Sequence, residues 1–315
     1  YLHIGAEACN VLACGRVNVE NPIVVIVSDT YHNPVRDGTV VYFTTDKGTV
    51  RGQRSGNLGS DFTVDGVGGA LWLSGSSCET VTVTASTAAG GVTNSVAFLA
   101  SDDPYSATIL SPSSDVVSLP ADGESRFTMW VEVLDVFGTY VLPAGIEVEA
   151  EFGSIPEQGE SGDGCHSSVA RVIYQSKTLD RDYSVTTPDD GVGAVDNVTV
   201  STGYGGAGDQ IQVELLTSGA NRDESKLELQ GSVTAGGAVQ FTVSLADRYG
   251  NPLGGHTFEA SVSAGSVSTI PATDTWGTST GTFFAPDAAG NVTLTVVDTD
   301  PNYGGLVLAL TIPVQ

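Results

Sequence analysis

The sequence predicts an all-β protein made of three β-sandwich domains in tandem, with very little helix. A strand–turn–strand segment at residues 25–50 returns in a degraded form at 131–155 and as a close copy at 243–267. The aspartates that open the three turns are Asp29, Asp135 and Asp247. They stand roughly 100 residues apart, which is the size of one sandwich domain and far longer than a solenoid repeat. No segment of about 10 residues or more combines a helical period with helix caps, so helices are not expected.

The repeated turn explains why the chain bends at these positions. In the first copy, Asn33-Pro34 follows an alternating strand, and a proline fixes its own φ and restricts the residue before it. A β-branched and aromatic run then resumes at residues 39–45. The middle copy keeps Asp135 but lacks the Asn-Pro, and we expect a longer turn there. The candidate structural turn residues are Asp29, Asn33 and Pro34 in the first copy and Asp247, Asn251 and Pro252 in the third.

These segments also resemble those of a known family. The order of strand, D-x-x-x-N-P-[VL], V-x-F and glycine is similar to that of bacterial group 1 Ig-like domains, which are repeats of invasin- and intimin-type surface proteins. The first and third copies match this order, and the middle copy departs from it at the Asn-Pro. The resemblance covers most of the chain and implies three Ig-like β-sandwich domains that serve as a scaffold or in adhesion. It implies no catalytic residue.

Short polar segments separate the predicted domains. Residues 101–104, SDDP, end the first domain, because a proline cannot continue a strand ladder. Residues 217–225, TSGANRDES, form the second boundary. The predicted domains are residues 1–103, residues 104–220 as a divergent copy, and residues 221–315.

Alternation along the chain predicts the individual strands. In domain one, residues 79–86 (ETVTVTAS) alternate valine with threonine, and Trp72 is a predicted core residue of the preceding strand. In domain two, strands are predicted near residues 107–110, 126–135 and 146–152, and a glycine-rich loop follows at 153–164. A strand at 168–175 comes next, then residues 177–194, which have no clear period, and strands near 197–202 and 210–216 end the domain. Strands are predicted in domain three near residues 227–233, 238–247, 256–262, 277–284, 291–298 and 306–312.

Charge and hydropathy restrict the partners of the chain. Its 315 residues include 37 acidic and 12 basic side chains, for a formal net charge of −25. A field of this sign repels nucleic-acid phosphates and anionic lipids, so neither is an expected partner. No apolar run reaches the about 18 residues of a transmembrane helix, so we expect no membrane insertion by this segment.

The cysteine count indicates the compartment. Four cysteines in a β-protein rich in threonine and serine favour an oxidising environment. The chain begins at Tyr1 without a basic and apolar leader, so we interpret it as a protein whose signal peptide has been removed or as a fragment. The predicted location is extracellular or at the cell surface, as a secreted protein.

The pairing of Cys9, Cys14, Cys78 and Cys165 is open at this level. Disulfides are favoured over free thiols or a metal site, because zinc sites usually combine two paired ligand units and only one C-x4-C unit is present. The favoured pairing joins Cys9 to Cys14 in a tight loop and Cys78 to Cys165 between domains one and two. The alternative joins Cys14 to Cys78 and leaves Cys9 and Cys165 to pair or to stay free.

Motifs that resemble catalytic sites lack the required context. Residues 203–208 (GYGGAG) fit a dinucleotide-binding pattern, but a strand-like segment follows them instead of a helix. Ser279 lies in GTSTG, a nucleophile-elbow pattern, yet within a threonine-rich strand. The four histidines form no triad or metal pattern and are expected at the surface. The chain is therefore predicted to be non-enzymatic and to hold no organic cofactor.

Calcium is the ion for which acidic side chains of the sequence offer candidate ligands. Asp298, Asp300 and Asn302 alternate like the first ligands of a calcium loop, but no glycine or later glutamate completes that pattern. A plain turn between two strands is the favoured interpretation. Asp102 and Asp103, in the first boundary, are a second weak candidate.

Three classes of function fit these observations. The first is a non-catalytic extracellular structural protein, as a rod, stalk or filament-subunit segment. The second is an adhesin whose domain-end loops bind a receptor, a glycan or a neighbouring subunit, because sandwich loops cluster at the domain ends. The third is a set of accessory domains of an enzyme. The expected partners are other protein subunits or the surface of a host or a neighbouring cell.

Overall fold

The computed structural model describes residues 1–88, 91–141, 146–160, 162, 164–181, 183, 192–301 and 304–315. In these residues the chain forms 24 β-strands and no α-helix. The strands make six sheets, which belong in pairs to three consecutive parts of the chain. The prediction of an all-β protein with three tandem Ig-like sandwiches is confirmed.

Domain one consists of β1–β9. Its first sheet has the order β1-β3-β7-β5 and its second the order β2-β9-β8-β4-β6, with β2 parallel to β9. The strands are β1 (Leu2–Ala6), β2 (Asn10–Leu12), β3 (Glu20–Val27), β4 (Val40–Thr45), β5 (Thr49–Gly52), β6 (Ser60–Phe62), β7 (Val67–Leu73), β8 (Glu79–Thr87) and β9 (Thr93–Ser101).

Domain two consists of β10–β17 in a closely similar arrangement. Its sheets have the orders β10-β12-β15-β14 and β11-β17-β16-β13, and β11 runs parallel to β17. The strands are β10 (Ser106–Ser111), β11 (Val116–Pro120), β12 (Arg126–Leu134), β13 (Ile146–Ala150), β14 (Ser154–Glu160), β15 (Val169–Gln175), β16 (Val192–Thr202) and β17 (Asp209–Leu216).

Domain three consists of β18–β24. Its sheets have the orders β18-β19-β22-β21 and β20-β23-β24, and a single parallel bridge from Val233 to Val314 stands where β2 and β11 stand in the other domains. The strands are β18 (Lys226–Leu229), β19 (Ala238–Ser244), β20 (Phe258–Val262), β21 (Ser266–Val267), β22 (Thr278–Phe284), β23 (Gly290–Asp298) and β24 (Val307–Val314).

Each domain has its own hydrophobic core, drawn from its own strands. In domain one, the predicted core residue Trp72 is 1% exposed and meets Phe98 edge to face, and its Nε1–H donates to the Lys47 carbonyl. Tyr174 is fully buried in domain two, and Phe241 in domain three. Separate cores are what a chain of independently packed sandwiches requires.

The two strands that flank each repeated turn lie in opposite sheets of their sandwich. In domain one, β3 belongs to the first sheet and β4 to the second, so the turn crosses one end of the sandwich. We call the end with Asp29, Asp135 or Asp247 the proximal end and the opposite end the distal end. The nine-residue strand β12 joins these ends in domain two and spans about 30 Å at about 3.3 Å per residue.

Among the residues that the structure describes, there is no helix with the length and apolar character of a membrane span.

Candidate functional site at the domain ends

The three repeated turns share one hydrogen-bonding pattern. In each, the aspartate Oδ1 accepts from the backbone N–H two residues later and from the one four residues later, at 2.8–3.0 Å. The aspartate N–H donates in turn to the carbonyl four residues later. An isolated bridge closes each turn: Ser28 to Pro34, Leu134 to Tyr140, and Ala246 to Pro252. Such a carboxylate replaces the backbone partners that a sharp bend removes.

The middle turn is not longer than the others, so that expectation is wrong. Thr139 stands where Asn33 and Asn251 stand, and its N–H makes the same bond to Asp135. The position before it is left-handed in all three turns, with φ of 65° at His32, 76° at Gly138 and 85° at Gly250. The backbone geometry, and not the Asn-Pro, therefore defines the turn.

A fourth turn of this kind begins at Asp274 and was missed by the sequence analysis. Its Oδ1 accepts from the N–H groups of Trp276 and Thr278, and Gly277 has φ of 69°. The signal that could have found it is a five-residue pattern, aspartate, any residue, aromatic residue, Gly or His, then Asn or Thr. This pattern fits DTYHN, DVFGT, DRYGN and DTWGT.

The repeated turns differ in burial, because two of them lie at junctions between domains. Asp135 is 2% exposed and Asp247 is fully buried, whereas Asp29 and Asn33 are exposed. At Asp29 the hydrogen bonds from the N–H groups of Asn33 and Tyr31 lower the pKa of the carboxyl. The first turn is thus formed in the same way as the others but is exposed.

Junction one joins the distal end of domain one to the proximal end of domain two. The N–H of Asp102 donates to Asp135 Oδ2 at 3.0 Å. The buried Asn10 donates through Nδ2 to the carbonyls of Tyr140, at 2.7 Å, and Gly164, at 2.5 Å. A disulfide between Cys9 and Cys165 crosses the same junction.

Junction two joins the distal end of domain two to the proximal end of domain three. The fully buried Asn251 donates through Nδ2 to the Ala121 carbonyl at 2.9 Å and accepts at Oδ1 from the Leu179 N–H at 2.6 Å. The N–H of Ser218 donates to Asp247 Oδ2 at 3.0 Å. The Asn251 amide therefore links the two domains at junction two, as the Cys9–Cys165 disulfide and Asn10 do at junction one. In the turn at junction one, Thr139 stands at the position of this asparagine.

The favoured cysteine pairing is wrong. Cys14 pairs with Cys78 inside domain one, and Cys9 pairs with Cys165 between the domains. Cys9 and Cys14 cannot meet because β2 lies between them and is extended, at about 3.3 Å per residue. The extended strand therefore holds the Cα atoms of Cys9 and Cys14 further apart than the about 7 Å that a disulfide can span.

An equivalent alanine marks the distal end of each domain. The N–H groups of Ala13, Ala121 and Ala235 donate to the carbonyls of Ser101, Leu216 and Gln315, at the end of the last strand of each domain. Next to Ala121, the carboxylate of Asp122 accepts from Glu124, Ser125 and Ser176. Burial by itself raises the pKa of Asp122, but hydrogen bonds from Ser125, Glu124 and Ser176 outweigh it and hold this pKa well below its usual range.

This depressed pKa gives domain two an acid-dependent stability. Because the folded-state pKa of Asp122 lies below the unfolded value of about 4, its contribution is complete above about pH 4 and is lost as the pH falls through the folded value. We expect Asp122→Asn to destabilise domain two at neutral pH and the difference from wild type to shrink below about pH 3. Denaturant titrations of both chains across this range test it, and a difference that does not change with pH would contradict it.

The calcium candidates lie in two places. Asp298 is buried and engaged, since its Oδ2 lies 2.9 Å from His256 Nδ1 and its Oδ1 accepts from the Asp300 N–H. Asn302 lies outside the described residues. Asp103 pairs with Arg16 at 2.8 Å, and Asp102 supplies its N–H to Asp135. Within the described ranges, no three His, Cys, Asp or Glu residues are placed to hold a metal ion, and a plain turn stays the favoured interpretation of the segment from Asp298.

The motifs that resemble catalytic sites have structural positions. Ser279 is buried in β22 and donates to the Pro271 carbonyl, and residues 203–208 connect β16 to β17. His256 is buried against Asp298, so the expectation of a surface position is wrong for this histidine. Tyr174 donates to the buried Asp196, and burial together with this carboxylate raises the pKa of the phenol. Neither the His256–Asp298 pair nor the Tyr174–Asp196 pair is accessible to a substrate.

No protein-family model matches the chain, and no curated protein matches it. Among solved structures, the full chain is similar to invasin, a bacterial integrin-binding protein, at 18% identity and a TM-score of 0.41, and it spans 60% of that chain. It is also similar to FdeC, an Escherichia coli adhesin (15% identity, TM-score 0.38, 96% of that chain), and to InvD of Yersinia pseudotuberculosis (17%, 0.39, 97%). The predicted similarity to invasin-type proteins is found, but the assignment as tandem Ig-like sandwiches rests on the strand pairing alone.

Proposed function

We propose that the chain is a non-catalytic extracellular structural protein, a rod, stalk or filament-subunit segment at a cell surface, with domain limits at 1–103, 104–220 and 221–315. The observation that supports this is the construction of the two junctions. The proximal turns of domains two and three each pack on the distal end of the preceding domain, so the three sandwiches follow one another in one direction. Domains within a chain move relative to one another unless their interface resists it.

Both junctions contain the features that such resistance requires. At junction two, the Asn251 amide and the Asp247 carboxylate are fully buried. Separating the domains would break the hydrogen bonds that cross the junction, and water would have to replace them. Buried hydrogen bonds fix geometry, because few alternative arrangements satisfy every group. At junction one, the Cys9–Cys165 disulfide adds a covalent limit on bending.

Stiffness of junction one is the direct test. We expect small-angle X-ray scattering from the full chain to fit one extended conformation, and Cys9→Ser/Cys165→Ser to require an ensemble with a bend between domains one and two. The control is Cys14→Ser/Cys78→Ser, which also removes a disulfide but one that lies inside domain one. An oxidised wild-type chain that already needs a broad ensemble would refute the rod.

Adhesion is the second candidate, and exposed aromatic side chains favour it. Tyr31 is 82% exposed at the proximal end of domain one, and Tyr1 stacks on His32 beside it at 4.6 Å between ring centroids. Aromatic groups on rigid turns are effective contacts at interfaces. A receptor or glycan that loses binding when Tyr31 is replaced with alanine would support this candidate over a purely structural role.

A further inference from the structure

The proximal end of domain one and the distal end of domain three match the two surfaces that meet at junction two. At that junction an Asn–Asp turn of domain three contacts the distal alanine of domain two, Ala121. The proximal end of domain one carries the same turn with asparagine at the same position. Asn33 is exposed, its Nδ2 reaches only Asp29, and no described residue donates to its Oδ1.

The distal end of domain three presents the matching half. Ala235 corresponds to Ala121, since the N–H of each donates to the end of the last strand in its domain. Ala235 is exposed, and no described residue donates to its carbonyl. The loop after β15 supplies the second contact at junction two, Leu179, and the corresponding loop after β22 is exposed at Asp287 and Ala288.

We propose that the proximal end of domain one docks on the distal end of domain three of a second copy of this chain. Asn33 then donates to the Ala235 carbonyl of that copy, as Asn251 does to Ala121. The inference rests on the proposed role as a rod or filament segment and names the partner of its ends. The contact is head to tail and uses two different surfaces, so it repeats along an open line of copies.

The contact is weaker than junction two for two reasons. A linker delivers domain three to domain two at high effective concentration, and Ser218 in that linker supplies the N–H that binds Asp247. Two separate chains lack that linker. Each copy also carries a net charge of −25, and this repulsion is screened as the Debye length falls from about 8 Å at physiological ionic strength to about 3 Å at 1 M salt.

Sedimentation velocity on the full chain tests the proposal. We expect the average sedimentation coefficient to rise between about 10 μM and about 1 mM protein, the range of weak specific contacts, and to rise further at high salt. Asn33→Ala should weaken association about tenfold, because two intermolecular hydrogen bonds are lost. Ala235→Trp should abolish it by steric block, and Asn57→Ala, an exposed asparagine in the loop between β5 and β6, should leave it unchanged.

A mixture of the two variants separates a head-to-tail contact from other self-association. The Asn33→Ala chain retains its distal end, and the Ala235→Trp chain retains its proximal end. At concentrations where the Asn33→Ala chain alone stays monomeric, the mixture should therefore form pairs and no longer species. A chain that stays monomeric at every concentration and salt, or one whose association survives both substitutions, overturns the proposal. Whether the monomer is a stiff rod is tested separately by small-angle X-ray scattering. The outcome of the sedimentation experiments therefore does not decide the proposed function.

Discussion

Replacing Asp247 with alanine should destabilise domain three by about 4 kcal/mol. The carboxylate is fully buried and accepts from four donors: the N–H groups of Ser218, Tyr249 and Asn251, and the Asn251 side-chain amide. Each donor left unpaired in a buried place costs about 1–3 kcal/mol, and partial access of water at the turn reduces the sum. Calorimetric unfolding of the full chain, with the domain-three transition followed separately, measures it.

The matched control for this prediction is Asp29→Ala. It removes the same turn contacts from the N–H groups of Tyr31 and Asn33, but at an exposed site where water takes the place of the carboxylate. We expect a far smaller loss in domain one than in domain three. Equal losses would mean that the turn contacts alone, and not the contacts at the junction, account for the destabilisation by Asp247→Ala.

Removing the Cys14–Cys78 disulfide should cost domain one about 4 kcal/mol. The bridge closes a loop of 64 residues within one sandwich, and a cross-link of that span restricts the unfolded chain by about this amount. The double variant Cys14→Ser/Cys78→Ser should lower the melting temperature of domain one under non-reducing conditions. Differential scanning calorimetry of the variant beside wild type gives the change.

Cys9→Ser/Cys165→Ser is the control here. That bridge joins two domains, each with its own core, so its loss frees junction one and leaves the packing within domain one in place. We expect the domain-one transition to move much less than in the first double variant. Similar shifts from both pairs would show that domains one and two unfold as one unit.

The period and the turn pattern were readable from the sequence because both depend on local chemistry. Asp29, Asp135 and Asp247 open turns of the same geometry, and their spacing separates three cores. The Asp274 turn was missed because it does not recur at the domain spacing. It follows the same five-residue pattern, so a search for the pattern alone would have found it.

Burial and pairing at the junctions were not readable, because they depend on contacts between distant segments. Asn33 and Asn251 share the local pattern D-x-Y-x-N-P, yet Asn33 is exposed and Asn251 is buried, since Asn251 packs against domain two. The cysteine pairing depends on β2, a strand of three residues that is held by parallel pairing with β9 across the domain. A segment that short has no detectable period of its own.

The Cys9–Cys165 bridge also decides how the chain would carry mechanical tension. The two cysteines are 156 residues apart in sequence, and a pull applied before Cys9 and after Cys165 passes directly through the sulfur atoms. The segment between them, which includes β2 to β14 and the second disulfide, bears no load. In domain one only β1 can be peeled away by force, so the bridge protects the other eight strands of that sandwich and the first five of the next from mechanical unravelling.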